Sequence, residues 1–197
     1  MITRAQFFTL TGLDTDSHAS LKRRNQLPVI NTSEREYTPF QALAFNLADR
    51  LAQSPDGHGM NRGLACSIVR DMLVPLIERS PDIKATAATF RLVDNFEKIL
   101  AGRINVSGYN RPFVGTPAEL ADLIASEDVL DVILVNVTAA FVVLQVRAER
   151  EDIDLSGMWP DPHSFPTADE MRDTRRASWA QAVETVNAKR RGSPRKA

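Results

Sequence analysis

Three helix-breaking positions, Gly12, Pro28 and Pro39, fall within the first fifty residues and dictate what that stretch can become. Thr3 is a good N-cap for a helix carrying Phe7, Phe8 and Leu10 at helical spacing. Gly12 follows the last apolar turn, where a residue with positive φ ends a helix most easily. Asp14 caps a second helix that runs to about Arg24, with Leu21 and, in part, His18 on its inner side. Pro28 has no N–H to donate, so helical propagation stops there. Val29 and Ile30 read as a short strand, Asn31-Thr32-Ser33 as a turn, and Arg35-Glu36-Tyr37 as the return strand. Thr38 and Pro39 open a third helix as N-cap and first residue, with Phe40, Leu43, Ala44, Leu47 and Leu51 on one face.

Helix, tight turn, second helix, short wing and third helix make a winged helix-turn-helix, a module that lays one short helix in the DNA major groove. The stretch resembles the MerR-type winged helix-turn-helix, excisionase-like relatives included. Leu10-Thr11-Gly12-Leu13 is similar to that family's turn into the recognition helix. Arg23-Arg24, then Leu27-Pro28, resemble the end of that helix and the entry to the wing. Arg35 and Tyr37 resemble an Arg-x-Tyr pair before the third helix. The likeness covers roughly the first quarter of the chain, one such module. It implies double-stranded DNA as partner, with the second helix in the major groove and the wing on the flanking backbone. It also implies transcriptional regulation in a bacterium or mobile element, by a homodimer reading two half-sites. The alternative is an interaction or architectural (excisionase-like) protein that uses the winged helix to dock or to bend DNA.

The candidate DNA contacts are Thr15, Ser17, Ser20, Lys22, Arg23 and Arg24 on the second helix, and Arg35 in the wing. Ser and Thr bond phosphates or bases, and Lys and Arg neutralise phosphates. The plainer reading is a solvated helix, and for Arg35 a surface pair with Glu34 or Glu36, worth little. Tyr37 reads as core, because a ring just before a packed helix buries readily. No Arg, Asn or Gln with the bidentate geometry that reads guanine or adenine stands among Thr15, Ser17 and Ser20, so one copy should show shallow sequence preference. Asp16 either accepts from a cytosine amino group or repels phosphates and supports the helix start.

Beyond this module, Ser54 to Gly59 is a loop by its Pro and Gly content. A helix is expected from Arg62 to Arg79, kinked or interrupted at Pro75, and another from Asp82 to about Leu100 with Ile83, Phe90, Val93, Phe96 and Leu100 inward. Arg103 to Val114 reads as a small hairpin or loop, and Thr116-Pro117 starts a short helix with Leu120, Leu123 and Ile124 on its apolar side. Val129 to Val135 is rich in β-branched residues and reads as a buried strand. Asn136 or Thr138 then caps a helix from Ala139 to Arg150. Asp154 to Pro166 reads as a linker, Thr167 to Ala188 as a charged helix, and the end as a disordered basic tail. That tail (Lys189, Arg190, Arg191, Arg195 and Lys196) either adds phosphate contacts or solubilises the chain. The expected fold class is mainly α: a winged helix-turn-helix over 1–58, a helical or mixed α/β association region over 60–153, and linker, charged helix and tail over 154–197.

Composition narrows the functions. The formal net charge of −1 leaves no bulk attraction to nucleic acid, so any DNA binding must come from a local patch. Cys66 is the one cysteine and fits a reducing compartment; it reads as a small core residue. The apolar run Val129 to Val146 is broken by Asp131, Asn136, Thr138 and Gln145, which argues against a membrane span. With no basic, apolar leader at the N-terminus, a cytoplasmic location is expected. His18, His58 and His163 lie far apart, and no metal-ligand spacing, GxGxxG, P-loop or GxSxG is present. An enzyme, a metal or a cofactor is therefore not expected, and no motif marks a small-molecule effector.

Overall fold

The computed structural model describes residues 1–24, 26–28, 36–53, 58–90 and 98–161. Within them the chain is mainly helical, with seven helices and a small three-stranded antiparallel sheet. β1 (Ile2–Thr3) leads directly into α1 (Arg4–Thr11). Thr3 caps α1 in a reciprocal capping box with Gln6, and Gly12, at φ 72°, ends it. Asp14 caps α2 (Thr15–Arg23) by accepting from the Ser17 backbone N–H at 2.7 Å. The expected return strand is present as β2 (Glu36–Tyr37), and its partner is β1, with Ile2 opposite Tyr37. The proposed strand Val29-Ile30, the turn 31–33 and Arg35 lie outside the described residues.

α3 (Pro39–Ala52) starts at Thr38 with a second capping box, closed by Gln41. One apolar face was expected. Instead Phe40, Ala42, Leu43, Ala44, Phe45, Leu47, Ala48 and Leu51 are all buried, so α3 is enclosed on nearly every side. Ala42, Ala44 and Ala48 leave room for neighbours to approach, and α1, α4 (Arg62–Glu78) and α7 (Val137–Arg150) pack around it. Pro75 sits inside α4, which continues to Glu78.

The helix expected from Asp82 to about Leu100 is shorter. α5 (Ser80–Thr89) ends where Phe90 turns extended, and Leu100 begins a strand; residues 91–97 lie outside the described residues. Thr86 and Thr89 donate back to carbonyls of the preceding turn, a local competition that weakens helices. The hairpin β3 (Leu100–Val106) and β4 (Tyr109–Gly115) turns through Ser107 and Gly108, both at positive φ, as a two-residue hairpin turn requires. With Val106 and Tyr109 closing that turn as a bonded pair, alternation leaves Pro112 in a non-bonded pair with Arg103. The missing N–H of Pro112 therefore falls on the open edge of β4 and weakens it as a template for further strands.

α6 (Pro117–Ser126) follows with its own capping box, Thr116 with Glu119, and Arg79 bonds Glu119 at 2.5 Å to tie it to the α4–α5 junction. β5 (Val129–Asn136) pairs with β3, giving the order β4-β3-β5. The β-branched run is thus a strand, but as an antiparallel edge it buries only Val135 and leaves Leu130 and Asp131 exposed. His58 donates from Nε2 to the Leu134 carbonyl at 2.7 Å and covers part of that edge. Asn136 caps α7. Thr138, fully buried, accepts from the Ile99 N–H at 2.9 Å and lies 3.1 Å from the Thr86 hydroxyl, joining α5, α7 and the entry to β3.

Past α7 the chain is irregular, as its Pro and Gly content suggests, but up to Asp161 it is no free linker. Ile153 and Met158 are buried, and the Trp159 ring lies 5.6 Å from Phe40 and 5.7 Å from Phe141. Met1–Pro162 forms one compact unit. The charged helix 167–188 and the basic tail lie outside the described residues. Among the described residues no helix is long and apolar enough to cross a membrane.

Among the described glycines, the closest approach to another backbone is at Gly102. A Cβ there would lie 1.9 Å from the Ile133 carbonyl oxygen and 2.9 Å from Leu134 Cα, both backbone atoms of β5. Gly102→Ala should force β3 and β5 apart and cost about 3 kcal/mol or more in urea unfolding, at the upper end of overpacking effects; a change below about 1 kcal/mol would contradict this close pairing.

Candidate nucleic-acid interface

α2 is built as a polar helix on a short tether. Its charges follow the helix dipole, with Asp14 and Asp16 at the start and Lys22 and Arg23 in the last turn. Ser17 donates its hydroxyl to Asp14 at 2.7 Å in addition to its backbone bond. These two bonds, the backbone one foremost, hold the Asp14 carboxyl below its ordinary range. His18 is the one buried residue of the helix. Its ring meets Phe7 (6.0 Å) and Tyr37 (5.8 Å) edge-on and lies 5.4 Å from Phe8. Phe7 and Tyr37 themselves stack at 4.3 Å, so Tyr37 belongs to the core, as expected.

Counting about 100° per residue from His18 sorts the candidate contacts. Arg23 and Asp16 point away from the body, and Ser20 and Arg24 lie beside them, Ser20 partly covered. Lys22 and Thr15 sit on the flank nearer His18. Thr15, Ser17, Lys22, Arg23 and Arg24 are exposed and Ser20 is half-buried. The helix thus brings Ser20, Arg23 and Arg24 to one surface, but with Asp16 among them, and it occupies the Ser17 hydroxyl proton in its own cap. Arg35 lies outside the described residues.

Residues that the sequence did not single out complete the surface. Arg4 is exposed, its guanidinium 5.2 Å from the centre of the Phe8 ring, and like Lys22 it adds a positive charge that acts on His18. Its i, i+4 spacing to Phe8 was the one available signal. The exit from α2 is pinned to α4: the Cys66 thiol donates to the Gln26 carbonyl at 3.0 Å, and Arg70 donates to the Leu27 carbonyl at 3.3 Å. Burial pushes the Cys66 thiol up, which keeps it protonated and fits a core role. No local pattern marks either anchor, because each acts across some forty residues.

Among the described residues no group of three His, Cys, Asp or Glu side chains gathers to hold a metal. No family model matches the chain, and no curated protein or solved structure matches it significantly.

His18 makes the seating of α2 sensitive to pH. Burial, then the charges of Arg4 and Lys22, push its imidazole below the ordinary value. The unfolded chain therefore takes up this proton more readily than the folded one. Stability is fully present above about pH 6.5 and is lost as pH falls below it. Urea unfolding at pH 7.5 and pH 5.5 should reveal the loss, and His18→Phe should flatten it. Equal stability of the unaltered protein at both values would contradict the burial of a neutral His18.

Proposed function

We propose that the protein binds double-stranded DNA through α2, as a winged helix-turn-helix of the MerR type, and acts as a homodimeric transcriptional regulator. One observation carries the reading: α2 is a polar helix that exposes Arg23 and Arg24, with Ser20 half-buried beside them, while Gly12, His18 and the Gln26–Leu27 anchors hold it to the core. A helix that enters a groove needs this combination of a free outer face and fixed ends. Lys22 and Arg4 extend the cationic flank that would track phosphates. Tyr37 of β2 packs edge-on against His18 of α2, so the strand expected to return from a wing is tied to this helix, which supports the same reading. The expected partner is DNA in a reducing, cytoplasmic setting.

Asp16 on the outer face, and short hydroxyls at Thr15, Ser17 and Ser20 where bidentate readers would stand, favour low sequence discrimination by one copy. Two copies on paired half-sites would supply the remainder. The same observations favour, as second reading, a protein-docking or DNA-bending use of the module.

Fluorescence anisotropy of the full chain with duplex DNA across a salt series tests the first reading. Lys22→Ala with Arg23→Ala should weaken binding and reduce the salt slope by about 0.9 for each phosphate that is no longer neutralised. Unchanged affinity with the fold intact would remove α2 from the interface. Absence of binding to any duplex at low salt would favour the docking role.

A further inference from the structure

The trough between α3 and α7 is polar where the rest of that contact is apolar. α3 contributes Asn46, Asp49, Arg50 and Gln53, one stripe at i, i+3, i+4 and i+7. α7 contributes Ala140, Val143 and Arg147, a stripe whose two small residues leave the floor unfilled. Thr11 closes the end beneath α1, and the recess measures about 200 Å³.

Its charges do not cancel internally. Asp49, the one acid lining it among the described residues, is engaged by Arg62 at 2.6 Å and also by the Gln53 amide. Arg147 uses one N–H, on Nη1, to reach the Leu10 carbonyl at 2.9 Å. Its fork has further donors. Arg50, half-buried on the same wall, makes no hydrogen bond or ion pair within the described residues. The Asn46 side chain, nine-tenths buried, donates to the Leu10 carbonyl at 3.3 Å from the floor of the same recess. Among the described residues, Arg50 and Arg147 thus line one small concavity whose one carboxylate is already paired.

We propose that this trough is a binding site for a small oxyanion, the phosphate or carboxylate group of a low-molecular-weight ligand, held by Arg50 and Arg147. Guanidinium forks match planar or tetrahedral oxyanions with paired N–H donors, and partial burial strengthens such bonds. The recess is too small and too polar for a large apolar ligand. An anion there would bridge α3 and α7 directly beneath the turn from which α2 departs. The site stands on these residues alone, whether or not α2 meets DNA.

The test is thermal unfolding of the full chain titrated with inorganic phosphate in one arm and succinate in another, at matched ionic strength. A saturable rise of about 3–6 °C at tenfold excess over Kd is expected in at least one arm, and the responding arm identifies the group. Arg50→Gln, which breaks no side-chain bond among the described residues, should abolish the rise. Lys22→Ala with Arg23→Ala, which removes the other cationic surface, should retain it. A rise that does not saturate, that persists in Arg50→Gln, that vanishes in the α2 variant, or that is missing from both arms would overturn the proposal.

Discussion

The carbonyl of Leu10 is the point on which the arrangement turns. α1 ends abruptly at Gly12, and a helix that ends leaves its last carbonyls without partners in the helix. The Gly12 N–H takes the Phe8 carbonyl and the Thr11 hydroxyl takes that of Phe7. Leu10 is satisfied from outside, by Asn46 of α3 and Arg147 of α7. A guanidinium at the negative end of the helix also complements its dipole. Stripping such a carbonyl of its donors costs about 1–3 kcal/mol. The larger consequence is geometric: one atom fixes α1 against two helices far apart in sequence, just before the turn that aims α2. The N-terminal segment is therefore oriented by α7, not only by its own helices.

Downstream of that fixed point the attachment becomes thin. α2 buries a single side chain, and that side chain is an imidazole kept neutral by its surroundings. Its acidic start and basic end serve the helix itself, through the N-cap and the dipole, before they serve any partner. Arg23 and Arg24 are exposed under either role, so exposure alone does not distinguish a docking helix from a solvated one. The distinguishing feature is the second pair of anchors, Cys66 and Arg70, which hold the exit of a helix that contributes little to the core.

Local chemistry was the legible part of the sequence. Thr3, Asp14, Thr38 and Thr116 each cap the helix they were expected to open, Asn136 rather than Thr138 caps the last, and Gly12 ends the first one. These are interactions within four residues, decided by side-chain reach and φ. Long-range assignments were not legible. The β2 strand announced itself, yet that Ile2–Thr3 would pair with it depends on the path between them. Residues 82–100 carried apolar spacing compatible with one helix, and the competition that ends α5 at Thr89 lies in threonine back-bonding and in the demand of β3 for Leu100. Trp159 lay in a Pro-rich stretch that reads as linker, and its docking depends on the aromatic rings of Phe40 and Phe141, more than a hundred and nearly twenty residues away. Of the candidate site, the outer face of α2 was legible from its polar composition, whereas Arg4, Cys66, Arg70 and Arg147 acquire their roles only through packing.

The central claim is that α2 is a thinly seated helix whose outer face meets duplex DNA. Hydrogen–deuterium exchange of the full chain, with and without duplex at low salt, tests it most directly. In the free protein the amides of α2 should exchange faster than those of α3, because few buried side chains hold the helix. On adding DNA, protection should rise over Thr15–Arg23 and leave the sheet β3–β5 unchanged. Protection confined to the sheet or to α6, with α2 exchanging as before, would contradict the account.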